Sequence, residues 1–106
     1  MSRKESIGLD IQNINDVITL CGRGTCQDKT IIIPSNVQRI ADYAFFRDTN
    51  LDSIDCSKVT SIGSYAFANS SVKEFTAFHL NNAGIHIFDG CTIDCATVPC
   101  GYSLLF

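Results

Sequence analysis

Short runs in which apolar and polar residues alternate are the main pattern of this chain. In the segment LDSIDC, the residues Leu51, Ile54 and Cys56 are apolar and polar residues separate them. A strand places successive side chains on opposite faces, so this pattern predicts a short strand with Ser53 and Asp55 pointing outward. A second short apolar segment, VTSI, follows it.

The alternating runs belong to a unit that occurs three times. The phenylalanines near its end, Phe45, Phe67 and Phe88, are spaced 22 and 21 residues apart. RIADYAF and SIGSYAF share the ending Tyr-Ala-Phe, and AGIHIF aligns with them because Gly84 matches Gly63. Repeats of 21 to 23 residues lie within the range of about 20–29 residues that is typical of leucine-rich repeats. We therefore expect the three phenylalanines to stack as one buried column.

A single unit cannot cover its own apolar face, so several units must stack and share one core. The segment GSYAF is too short for an independent helix and predicts one short helical turn per repeat. The expected fold class is an α/β repeat solenoid, a short leucine-rich-repeat stack that is rich in β-structure. We expect one domain over 1–106, with an N-terminal cap at 1–29, about three repeats at 30–96 and a C-terminal cap at 97–106.

The two caps are predicted from the runs at the ends. Val17–Leu20 and Thr30–Ile33 are rich in β-formers and enclose a Gly-rich polar connection, which predicts an N-terminal capping hairpin. At the other end, apolar residues either cover the last repeat or contact a second copy of the chain. The candidate contacts of such a homodimer are Tyr102, Leu104, Leu105 and Phe106.

The repeat LDSIDCSKVTSIGSYAFANSSVKEF resembles the BspA-like leucine-rich repeat family. Units of that family read roughly L-x-x-I-x-(I/L)-(P/S)-x-V-x-x-I-G-x-x-A-F-x-x-C, and the resemblance covers about Thr30 to Ala96. The chain departs from this pattern at Ala41, which stands in place of Gly, and at His86 and Ile87, which replace Tyr-Ala. The resemblance implies a binding or adhesion protein, because BspA-like proteins of bacteria and protists are associated with surface attachment.

Charge and hydropathy exclude several classes of partner. The net charge is −3, and Arg3-Lys4 is the only local basic group, so the clustered cations of a nucleic-acid-binding protein are missing. No apolar run approaches the roughly 18 residues of a membrane span. Asp10 and Asn13 interrupt the apolar core that a secretory signal requires. These features predict a cytoplasmic protein, or a secreted or surface-attached one if a signal has been removed.

Six cysteines leave more than one reading of the thiol chemistry. An even number fits a disulfide framework, but a chain without a signal favours reduced thiols. The candidate disulfides are Cys21–Cys26 and Cys95–Cys100. Cys56 and Cys91 occupy repeat positions of small apolar residues, so we expect both to be buried free thiols.

Zinc and thiol catalysis are the alternatives to a purely structural role. Cys91, Cys95 and Cys100, together with His79 or His86, would supply four tetrahedral zinc ligands. Cys91 with His86 would form a nucleophile and base pair. Among these cysteines only Cys91 and Cys95 have the spacing of a zinc knuckle, and Cys91 stands at the position where the repeat ordinarily carries a structural cysteine. We therefore expect no catalytic residue, no metal site and no cofactor.

The outward strand positions form the candidate binding surface. They make a small and mildly acidic face that consists of Thr30, Ile32, Ser53, Asp55, Glu74 and Thr76. We expect a non-enzymatic protein-interaction module that binds or adheres through this open face, or that inhibits a partner protein sterically. The alternative is a small zinc-binding or thiol-dependent enzyme.

Overall fold

The chain folds through short strands joined by tight turns. The computed structural model describes residues 8–25 and 27–99, and no helix is present in these two ranges. The nine strands of the described residues are β1 Asp10–Ile14, β2 Val17–Gly22, β3 Thr30–Ile32, β4 Arg39–Ile40, β5 Ser53–Asp55, β6 Ser61–Ile62, β7 Glu74–Thr76, β8 Asn82–Ala83 and β9 Cys95–Thr97.

Two sheets form the walls of a β-solenoid. Sheet I has the strand order β1-β2-β4-β6-β8, and sheet II has the order β3-β5-β7-β9. From β2 onward the chain alternates between the sheets, so each turn of the solenoid adds one strand to both. Strands of successive turns pair in parallel, which gives about four turns over the described residues. The repeat solenoid predicted from the sequence is confirmed.

An N-terminal hairpin caps the stack, but its strands differ from those predicted. The expected strands, Val17–Leu20 and Thr30–Ile33, lie in different sheets, because the Gly-rich connection between them is a corner of the solenoid. The hairpin is formed instead by β1 and β2, which pair antiparallel. Asn15 and Asp16 make its turn with φ of 53° and 67°. Two successive positive φ values are typical of the tight turn that matches the twist of a hairpin.

The short helical turn expected at Tyr-Ala-Phe is absent from the described residues, and tight turns take its place. The turn that begins at the Phe of each repeat closes with a backbone hydrogen bond between residues three apart, and its third residue has a positive φ, as a type II turn does. The bonds run from Asp48 N to Phe45 O (3.0 Å), from Ser70 N to Phe67 O (3.1 Å) and from Cys91 N to Phe88 O (3.0 Å). The third residues are Arg47, Asn69 and Gly90, with φ of 60°, 56° and 78°.

Hydrogen bonding between turns of the solenoid explains why no helix forms there. The Phe45 N–H donates to the Ala66 carbonyl at 2.6 Å, and the Phe67 N–H donates to the Ile87 carbonyl at 3.0 Å. A helix would direct these N–H groups to carbonyls four residues earlier in the same segment. Since they bond to the neighbouring repeat, the segment forms tight turns and does not close into a helix.

A column of stacked phenylalanine rings fills the core. Phe45, Phe67 and Phe88 are 1%, 0% and 7% exposed. The ring centroids are 5.3 Å apart between the first two and 5.4 Å apart between the last two, and the rings are nearly parallel. The predicted column is confirmed. Cys56 is fully buried beside this core, as expected, whereas Cys91 is only partly buried.

Candidate functional site

The six predicted binding residues lie on the outer face of sheet II. The pairing of β3, β5 and β7 arranges them in two rows that cross the strands, while the middle residue of each strand points into the core. Paired strands lie about 4.8 Å apart, so the side chains of one row are direct neighbours. The rows, which we call the sheet II face, are Thr30, Ser53 and Glu74, and then Ile32, Asp55 and Thr76.

The sheet II face continues onto β9, which sequence reasoning missed. Cys95 pairs with Glu74 and Thr97 pairs with Thr76, so both rows gain one more position. Both of these residues are exposed. The signal was present in the sequence, since Cys95 follows Glu74 by one repeat period of 21 residues.

The sheet II face is mostly polar and carries acidic groups. Ile32 is its exposed large apolar residue, at 56% exposure. The Asp55 carboxylate accepts a hydrogen bond from the Ser57 N–H at 3.0 Å, which holds it near the corner that follows β5. Within the described ranges, neither Asp55 nor Glu74 forms an ion pair. A partner can therefore contact both carboxylates without displacing a cation.

A second candidate surface lies on sheet I. It is an open polar groove of about 330 Å³ that is lined by Arg39, Asp42, Ser61, Ile62, Gly63, Ser64, Asn82 and Gly84. Parallel pairing of β4, β6 and β8 places Arg39, Ser61 and Asn82 in one row. Sequence reasoning missed this surface, because separate polar residues at outward positions look like ordinary solvated side chains until the turns are stacked.

Close packing between solenoid turns builds one side of the polar groove. A Cβ atom on Gly84 would lie 2.5 Å from the backbone nitrogen of Ser64, so a larger residue does not fit there. The Asp42 carboxylate accepts the Ser64 N–H at 2.8 Å, and the Ser64 hydroxyl accepts the Ile85 N–H at 3.0 Å. These bonds link three successive turns and fix the position of the Asp42 carboxylate.

An aromatic ridge follows the polar groove along the chain. Tyr43, Tyr65 and His86 occupy the same repeat position, and their ring centroids are 5.3 Å and 5.2 Å apart. All three have positive φ, at 61°, 58° and 54°. The left-handed conformation costs about 1–2 kcal/mol for a residue with a Cβ. Aromatic pairs contribute about 0.5–1.5 kcal/mol each beyond burial, so the stacking offsets part of this cost.

Cys56 and Cys91 are placed as structural groups, whereas Cys95 is exposed. Burial, followed by the nearby Asp55 carboxylate, raises the pKa of the Cys56 thiol well above its ordinary value, so it stays protonated and poorly nucleophilic at neutral pH. Cys91 donates to the Phe67 carbonyl at 2.8 Å and contacts the Ser70 hydroxyl at 3.5 Å. The His86 ring stacks on Tyr65, and no hydrogen bond joins it to Cys91.

The zinc and disulfide alternatives depend on residues outside the described ranges. Residues 8–25 and 27–99 contain no group of three or more His, Cys, Asp or Glu side chains arranged to hold a metal ion. His79 is engaged through Nδ1, which lies 2.8 Å from the Ser57 carbonyl oxygen. Cys26 and Cys100, one member of each candidate disulfide, lie outside the described residues, as do the predicted dimer contacts at 102–106.

Comparisons with known proteins give one match. The model of a family described as BspA type Leucine rich repeat region (6 copies) matches residues 11–102. Neither the search of curated proteins nor that of solved structures gave a match. Among the described residues, there is no helix of the length and apolarity that crossing a membrane requires.

Proposed function

We propose, from the premise that this chain belongs to the BspA-type leucine-rich repeat family, that it binds a partner protein through the sheet II face. Repeats of this family are commonly used for protein interaction and generally serve as non-enzymatic scaffolds. The role proposed for the chain is adhesion to the partner or steric blocking of it, without chemistry on a substrate.

The observation that carries the proposal is the register of sheet II. Three parallel strands hold their outward side chains in two rows, and the residue between the rows is buried on every strand. A rigid core therefore fixes the positions of the contact groups before a partner arrives. Such preorganisation reduces the entropy that is lost on binding. The exposed Ile32 supplies an apolar contact beside the Asp55 carboxylate, and Glu74 lies farther along the same face, which favours a partner surface with an apolar patch and cations.

Self-association through the C-terminal residues Tyr102, Leu104, Leu105 and Phe106 belongs to the same proposal. A solenoid exposes apolar core and strand edges at its last turn unless something covers them. In sheet II, β9 pairs with β7 on one side and is the last strand of the sheet order. A second copy that docks at this end would place two sheet II faces in one assembly and increase avidity for a repetitive partner.

Affinity capture with a charge-matched pair of variants tests the proposal. The test variant combines Ile32→Arg with Glu74→Arg on the sheet II face. The control combines Ile85→Arg with Asp89→Arg, which makes the same change in charge at exposed positions outside that face. We expect a partner protein that is captured by the wild type and by the control and is lost with the test variant. Equal capture by both variants would show that the sheet II face is not the binding surface.

A further inference from the structure

We propose that the polar groove on sheet I binds the carboxylate of an acidic side chain on the partner protein. The inference rests on the proposed function, because it gives the chemistry of a second contact with that partner. It concerns a different sheet from the proposed binding face, so the two surfaces can be altered separately.

A row of hydrogen-bond donors runs through the groove. Arg39, Ser61 and Asn82 are paired across β4, β6 and β8, so a guanidinium, a hydroxyl and a carboxamide lie side by side about 4.8 Å apart. Within the described ranges, these three side chains form no hydrogen bond and no ion pair with another residue. Three neighbouring groups with unused donors on the outer face of sheet I form a site that an acceptor can fill.

The cation determines which acceptor fits best. A guanidinium presents two parallel N–H groups to a carboxylate, and such charge-assisted pairs are the strong ones. Arg39 is the cation of the groove, and Arg23, in contrast, is already paired with Asp48 at 2.7 Å. The Ser61 hydroxyl, next in the row, can donate to the same carboxylate or to the peptide group beside it.

Negative charge nearby favours a single carboxylate over a phosphate. The Asp42 carboxylate is part of the groove lining and is held in place by the Ser64 N–H. A dianion next to Arg39 would also face this carboxylate, and the chain as a whole carries a net charge of −3. The groove lining holds one cation, Arg39, and one anion, Asp42, so each further negative charge on a ligand adds repulsion and a monoanion is favoured over a dianion.

The shape of the groove favours a side chain of a protein over a free small acid. Its volume of about 330 Å³ is at the lower limit of the roughly 300–1,000 Å³ that ligand pockets occupy, and those pockets enclose most of their ligand. This groove is open along the sheet and cannot enclose a free acid. An acidic side chain that is presented by a partner needs no enclosure, since the remaining contacts of the interface hold it in place.

Titration with a matched pair of blocked peptides, Ac-Gly-Glu-Gly-NH₂ and Ac-Gly-Gln-Gly-NH₂, tests the chemistry of the groove. The readout is the backbone amide spectrum of the full chain, in which Ser61–Ser64 and Asn82–Gly84 report on the groove. We expect saturable shifts of these amides with the Glu peptide, and at least tenfold weaker binding of the Gln peptide. Arg39→Gln should weaken binding of the Glu peptide at least tenfold, whereas Arg47→Gln, at an exposed arginine outside the groove lining, should leave it unchanged.

A second variant and a small-acid probe keep the test decisive. Asn82→Asp adds a negative charge to the row and should also weaken binding of the Glu peptide at least tenfold. The amide spectrum outside the groove should be unchanged in this variant. Equal binding of the Glu and Gln peptides, or of the Glu peptide by Arg39→Gln and by the wild type, would overturn the proposal. Acetate that saturates the groove as tightly as the Glu peptide would overturn the assignment to a partner's side chain.

Capture of the partner separates this proposal from the proposed function. Arg39→Gln should reduce capture at least tenfold, as should the double variant at Ile32 and Glu74. If Arg39→Gln retains full capture while the double variant loses it, the groove assignment is wrong and the sheet II face stands. If the double variant retains capture while Arg39→Gln loses it, the partner binds at the groove and the sheet II face is the assignment that fails.

Discussion

Replacement of Phe67 by alanine is the sharpest test of how the core is built. Phe67 is 0% exposed and lies in the middle of the phenylalanine column. Its ring stacks on Phe45 at 5.3 Å and on Phe88 at 5.4 Å, and it meets the edge of Phe75 at 5.7 Å. Phe67→Ala therefore removes the contact that joins three consecutive turns of the solenoid.

The expected loss follows from burial and cavity formation. Phe→Ala in a close-packed core lowers the free energy of unfolding by about 3–5 kcal/mol. Small domains have about 5–15 kcal/mol of stability in total, so this one change removes a large part of it. Phe45 stacks on one ring of the column, and each stacked pair contributes about 0.5–1.5 kcal/mol beyond burial. Phe67 also contacts Phe75 and Phe88, which are two more aromatic pairs, so Phe45→Ala should cost about 1–3 kcal/mol less than Phe67→Ala.

Urea unfolding followed by circular dichroism measures these differences. With a denaturant dependence of about 2 kcal/mol per molar urea, Phe67→Ala should lower the midpoint by about 2 M. The matched control is Phe78→Ala, because Phe78 is 57% exposed and a surface substitution changes stability by about 0.5 kcal/mol or less. If the midpoints of Phe67→Ala and Phe78→Ala were equal, the stacked column would not be the source of stability and the repeat alignment would be wrong.

Three further predictions concern the thiols, the turns and the oligomeric state. Native protein should react with a thiol reagent at the exposed Cys95 before Cys56, which is 0% exposed and should react only after denaturant is added. The folded state raises the pKa of the Cys56 thiol, so the protonated thiol contributes its full stability below the unfolded thiol pKa of about 8.5. That stability is lost as the pH rises above this value, because the unfolded chain then releases the proton more readily than the folded one. The urea midpoint of Cys56→Ala should therefore fall less at alkaline pH than that of the wild type. Gly90 has φ of 78°, so Gly90→Ala should lower the free energy of unfolding by about 1–2 kcal/mol. Arg47→Gly, at the same repeat position, should change the free energy of unfolding by less than about 1 kcal/mol. A larger loss of stability in Arg47→Gly than in Gly90→Ala would contradict the turn assignment. Light scattering across a dilution series should show a dimer that dissociates on dilution and that is absent after deletion of 102–106, and a monomer at all concentrations would instead favour a tail that caps its own chain.

The sequence by itself determined the stack and its interior. The spacing of Phe45, Phe67 and Phe88 identifies the turns of the solenoid, and alternation around Ile54 identifies the inward side of a strand. Both predictions succeed because burial of apolar side chains is the main term that stabilises the fold, and periodicity records burial directly. Polar outward positions such as Glu74 follow from the same alternation.

The backbone conformation at the corners was decided only by the tertiary structure. Tyr-Ala-Phe predicts a helical turn when it is considered alone, but the N–H groups of Phe45 and Phe67 bond to the neighbouring turn of the solenoid. The hairpin was misplaced for a similar reason. Val17–Leu20 can pair with the segment before it or with the segment after it, and local pattern does not distinguish the two. In the structure β1, the segment before it, is the neighbour of β2, and β3, the segment after it, lies in the other sheet.

The polar groove likewise exists only in the folded stack. Arg39, Ser61 and Asn82 are separated by 22 and 21 residues, and each is an ordinary polar residue in its own segment. Parallel pairing places them about 4.8 Å apart, and the absence of a side chain at Gly84 allows the turns to approach closely enough to build the groove. Sequence periodicity records which residues are buried, whereas the assembly of separate polar groups into one site depends on strand register, and register is a property of the whole stack.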